Sequence, residues 1–121
     1  MASEPKKLIV LISRGCHDRT QSANQSKALD WFNSRNVPYE IVDGMDANQR
    51  ERRNELFDVS EVRGNYPQFF FEHKEGTLVY FNFERLESLM ETSGLPPDML
   101  AQHPELETWD KVFGNVVEAF E

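Results

Sequence analysis

The chain has 121 residues but a single cysteine, Cys16. One thiol excludes an intrachain disulfide, and no Cys or His residues stand at zinc-ligand spacing, so no metal site is expected. A reducing compartment, the cytoplasm, is the expectation for such a chain. Long apolar runs are missing too. The run "LIVLI" from Leu8 is far too short to span a bilayer, and the leading "MASEPKK" lacks the apolar stretch of a signal peptide. Neither membrane association nor secretion is expected. Positive charge is scarce: the net charge is −8, and residues 84–121 hold nine acids against two bases, Arg85 and Lys111. Nucleic-acid binding needs a cationic footprint. The one local cluster, Arg50, Arg52 and Arg53, reads as the solvated face of a helix, so no nucleic-acid partner is expected.

What the chain does have is core-forming material. Hydrophobic residues make up 39% of it, with nine Phe and two Trp, enough for one folded domain without covalent staples. "KLIVLIS" is continuously apolar and β-branched, the pattern of a strand covered on both faces. In "SANQSKALDWFNSRN" the residues Ala28, Leu29, Trp31 and Phe32 recur at helical spacing, while the first half is polar and is expected to meet solvent or a cleft. Asn36 marks a stop before Val37-Pro38. "PYEIVDG" alternates as a second strand and closes on Asp43-Gly44. A helix over roughly Ala47 to Asp58 follows, with Asp46 or Asn48 as its cap. "QFFFEHKEGTLVYF" reads as a hairpin, and "FERLESLMET" as a third helix before Gly94 and Pro96-Pro97 interrupt the chain.

This order, strand–helix–strand–helix–hairpin–helix, predicts an α/β domain with a small mixed sheet and helices on both faces. Residues 1–6 are expected to be a disordered N-terminus, residues 7–93 the domain, and residues 94–121 an acidic extension. Within the extension, Leu106, Trp109, Val112, Phe113, Val116, Val117 and Phe120 recur at steps of three and four. That spacing predicts an amphipathic helix through 104–120, with Pro104 in its first turn. Its wide apolar stripe needs a surface, either the chain's own domain or a second molecule in a dimer.

The stretches "SKALDWFNSRNVPYEIVDG", "MDANQRERRNELF" and "GNYPQFFF", with a proline directly before the hairpin, resemble the thioredoxin fold. Within it the chain is similar to the glutaredoxins, and more closely to the Src-homology-3-domain-binding glutamate-rich protein-like family. The resemblance covers roughly residues 7–93. It implies a four-stranded mixed sheet with helices on both faces, the C-terminal helix being extra. It also implies a cis bond at Tyr66-Pro67 facing the place where such proteins carry their cysteines, a position at which, in those proteins, the backbone before the proline can pair with a bound thiol peptide.

The resemblance also sets what chemistry remains. Dithiol glutaredoxins carry Cys-x-x-Cys at the start of the first helix, where the helix dipole lowers the thiol pKa and the second cysteine resolves the mixed disulfide. The window here is "CHDR", with Arg19 in the resolving position, so dithiol chemistry within one chain is excluded. A monothiol mechanism would use Cys16 as its catalytic nucleophile, with glutathione bound by Arg14, Arg19, Tyr66, Pro67 and Glu84. Against it, the segment from Cys16 to Val37 is longer than in a usual glutaredoxin, and Phe81-Asn82 replaces the Gly-Gly turn that lets glutathione approach the backbone. "CHD" is no protease triad, because neighbouring residues on a loop diverge. His73 and His103 read as surface residues. The glutamate-rich family implies a protein-binding adaptor without a cofactor, but its proline-rich docking segment is reduced here to "RGNYPQFF". The expected function is therefore protein binding without dithiol activity, against a glutathione-dependent monothiol protein or a purely structural domain.

Overall fold

A computed structural model describes residues 4–15 and 18–120. Strand β1 (Lys6–Ile12) leads to helix α1 (Arg19–Ser34), strand β2 (Glu40–Asp43), a short 3-10 turn (Ala47–Gln49) and helix α2 (Arg50–Ser60). The hairpin β3 (Gln68–His73) and β4 (Leu78–Phe81) follows, then α3 (Phe83–Ser93), α4 (Pro97–Gln102) and α5 (Trp109–Phe113). The sheet order is β2-β1-β3-β4. β1 pairs parallel with β2 (Val10 opposite Ile41) and antiparallel with β3 (Val10 opposite Phe69). β4 runs antiparallel to β3. The result is a four-stranded mixed open sheet with helices.

The continuous apolar run of β1 is explained by its central place. Successive residues of a strand point to opposite faces, and both faces are covered. Leu8, Val10 and Ile12 join Phe69, Phe71 and Phe81 beneath Ala28 and Phe32 of α1, Leu86 and Leu89 of α3, and Trp109 and Phe113 of α5. Ile9 and Leu11 join Val42 and Phe70 against Leu56 and Phe57 of α2. Helix ends follow local chemistry. Asp18 caps α1 by accepting the Gln21 N–H at 2.9 Å. Asp46 caps the 3-10 turn, and Asn82 caps α3 by accepting the Arg85 N–H at 3.0 Å. Asn36 and Glu61 stop α1 and α2 in left-handed conformations, with φ of 58° and 60°.

Two expectations change. β1 begins at Lys6, one residue earlier than the expected domain boundary. The helix expected over 104–120 is only Trp109–Phe113, preceded by the separate α4 and capped by Thr108. Beyond Phe113 the chain leaves the helix and pairs with β1. The Lys6 N–H donates to Asn115 O at 3.1 Å, and the Val117 N–H donates to Lys6 O at 2.8 Å. The strand β2 is short and pairs only from Ile9 onward, so the lower edge of β1 offers backbone groups that the tail satisfies. Trp109 and Phe113 meanwhile stand 5.5 Å, centroid to centroid, from Phe32. The three–four spacing arises from a buried turn and a strand-like run in succession, not from one long helix.

Candidate functional site

At the carboxyl end of β1, three segments enclose a groove of about 530 Å³. One wall is the polar first half of α1, the second is the loop ahead of β3, and the third is the junction of β4 and α3. Amide side chains fix the first two walls. Gln25, buried, accepts the Ser13 N–H at 2.8 Å and donates to Ser13 O at 3.2 Å. It thereby fixes the chain where it leaves β1. Gln21, one turn earlier on the same face, accepts the Tyr66 N–H at 2.9 Å and ties α1 to the proline loop. Gln68, 1% exposed, donates to Val62 O and Asn65 O at 2.9 and 2.8 Å and holds that loop closed.

The Tyr66–Pro67 bond is cis. The Tyr66 ring packs on Phe57 at 6.3 Å, and its hydroxyl comes up against Gly44, where an added Cβ would lie 2.6 Å from the oxygen. Gly44 is therefore a close-approach position. On the third wall Phe83 stacks on Trp31 at 5.7 Å and joins α3 to α1. Tyr80 also lines the groove, and burial pushes its hydroxyl above its ordinary pKa. Asn82 stands at the helix cap, where the resemblance implies a glycine.

Of the residues expected at the site, Tyr66, Pro67 and Glu84 line this groove. Arg14 does not: its N–H and guanidinium both reach Asp43, each at 3.3 Å. Arg19, exposed in the first turn of α1, is not on the wall either. Cys16 lies outside the described residues. Among the described residues, the charged side chains lining the groove are Asp18, Glu84 and Glu87, all acidic. The amides of Gln21, Asn24 and Gln25 were missed from sequence. Their only signal was the polar half of an otherwise apolar helix face, with Gln21 and Gln25 spaced four apart.

Elsewhere, two of the clustered arginines are used within the chain. Arg52 bridges Glu55 and Glu72, and Arg53 donates to Gly44 O at 3.2 Å. Among the described residues no group of three or more His, Cys, Asp or Glu side chains is placed to hold a metal ion. Nor is any helix among them long and apolar enough to cross a membrane. No protein family, curated protein or solved structure matches the chain.

Proposed function

We propose that this chain is a thioredoxin-fold, glutaredoxin-like binding module that lacks dithiol activity and holds an extended segment of a partner protein in the groove beside Pro67. The sheet order and the cis bond at Tyr66-Pro67 support the fold reading. The observation that supports the functional reading is that a side chain of the protein itself occupies the backbone N–H of Tyr66. The backbone N–H of Tyr66, which a bound thiol peptide would engage, already donates to Gln21. The groove's described charges are carboxylates, whereas glutathione brings two carboxylates that require cationic partners. Of the two expected cations, Arg14 is committed to Asp43 and Arg19 is not among the residues lining the groove. An acidic groove with aromatic walls suits an extended peptide carrying Lys or Arg side chains, whose stems lie on Tyr80 and Phe83 while their heads meet Glu84 and Glu87.

Two measurements test this. In an amide NMR titration, reduced glutathione should leave Tyr66 and the residues around Arg14–Arg19 unmoved. Saturable shifts there would establish the monothiol reading in its place. Selection of random peptides on the chain should enrich basic sequences, and the exposed double charge reversal Glu84→Lys with Glu87→Lys should lose them. Failure to enrich, or enrichment that survives the reversal, overturns the binding role of this groove.

A further inference from the structure

The opposite end of the sheet carries a second, chemically different cavity. On the face covered by α1, α3 and α5, the register places Lys6 beside His73 and Phe71 beside Val79. The helical cover stops short of this end, and Val79 stays 47% exposed. The uncovered floor is walled by Arg85 of α3 and by Glu107, Lys111 and Val112 of the tail, enclosing about 530 Å³.

The charges here are unusual for this chain. Both bases of the acidic C-terminal segment, Arg85 and Lys111, come to this cavity and meet Lys6. Three cations therefore face one carboxylate, Glu107, leaving a local excess of positive charge in a protein of net charge −8. Their engagement differs. Arg85 is paired with Glu107, and Lys111 donates to Pro104 O and Leu106 O at 2.8 and 2.9 Å. Those contacts hold the tail loop in place. The Lys6 ammonium has no hydrogen bond or ion pair among the described residues and rests 3.9 Å from the centroid of the Phe71 ring. It is also fixed in position at its root, because its backbone N–H and C=O are both bonded to the tail.

We propose that this cavity binds a small organic monoanion, a carboxylate with an apolar body, whose charge pairs with Lys6 while its body lies on Val79 and Val112. An ammonium over an aromatic ring is only partly compensated for lost water. An incoming carboxylate completes it with a charge-assisted hydrogen bond. Burial holds the Lys6 ammonium below its ordinary pKa, with Glu107 opposing the shift, which is the direction expected of a cation short of partners. The two cavities share Tyr80 in their linings but no charged residue: Asp18, Glu84 and Glu87 line the groove beside Pro67, and Lys6, His73, Arg85, Glu107 and Lys111 line this one.

The experiment is an amide NMR titration of the full chain with octanoate, using acetate and octylammonium as controls. Octanoate should shift Lys6, His73, Val79 and Lys111 saturably and leave Gln21, Asn24 and Tyr66 in place. Acetate lacks the body and octylammonium has the wrong charge, so neither should saturate. Lys6→Met should weaken octanoate about tenfold or more, the loss of one charged hydrogen bond. Lys6→Arg should retain binding, and so should Lys7→Met, whose native side chain pairs with Glu72. In the unmodified chain octanoate should also raise the titration midpoint of Lys6, a readout that needs no variant. Absence of saturable shifts, equal binding by a folded Lys6→Met, equal binding of octylammonium, or an unmoved Lys6 midpoint would each overturn the assignment.

Discussion

Phe113→Ala is the sharpest test of the tail's place in the core. Phe113 is 5% exposed and stands 5.5, 5.6 and 6.1 Å, centroid to centroid, from Phe32, Phe71 and Phe81, and 4.3 Å from Trp109. Removing a buried Phe forfeits roughly 150–250 Å² of burial at about 25 cal/mol per Å². Those values give about 4–6 kcal/mol as an upper estimate, and substitutions of this kind typically cost about 3–5 kcal/mol. With a urea slope of about 2 kcal/mol/M, the unfolding midpoint should fall by about 2 M. Met99→Ala in α4, where no residue is buried, is the control and should change stability by less than about 0.5 kcal/mol. Equilibrium urea unfolding followed by far-UV circular dichroism reads both. A Phe113→Ala loss below about 1 kcal/mol, or a chain truncated after Gly94 with an unchanged curve, would show that the tail is not core and would refute the packing argument.

Three further outcomes are expected. Gln25→Met keeps the volume but strips the buried Ser13 N–H and C=O of their partner; stability should drop by about 1–3 kcal/mol, with faster amide exchange at Ser13. Gly114→Ala, which in an ordinary helix interior would gain about 1 kcal/mol, should instead lower the thermal midpoint. The new Cβ would lie 2.5 Å from the Asp110 carbonyl oxygen. The third concerns pH. Lys6 titrates below its ordinary 10.5 when folded, so between its folded and unfolded pKa the unfolded chain binds more protons. Its contribution to stability must therefore rise with pH across that window. The stability of Lys6→Met minus that of the native chain, from urea curves at successive alkaline pH values, should fall across it. A rising difference would contradict the desolvation of Lys6.

The elements whose pattern is set by near neighbours are legible in the sequence. The composition of β1 signals burial on both faces, that of α1 its apolar second half, and Asp43-Gly44 and Asn36 mark their turns, because periodicity and backbone preference act within a few residues. The groove is legible only in outline. Tyr66, Pro67 and Glu84 can be placed by resemblance, but nothing local shows that Gln21 reaches the Tyr66 backbone, 45 positions away. The turning of Arg14 to Asp43 across 29 positions is equally silent in the sequence.

The tail shows the division most clearly. By itself the sequence determined that residues 104–120 must bury an apolar stripe, since seven large apolar side chains in that span cannot all stay in water. Only the tertiary structure decided how. The unpaired edge of β1 below Ile9 offers hydrogen bonds that a continued helix would leave unmade. Gly114 ends α5, and the chain turns to meet Lys6. Spacing along a chain reports which side chains must be covered, while the choice of cover belongs to backbone groups far away in sequence that also require partners.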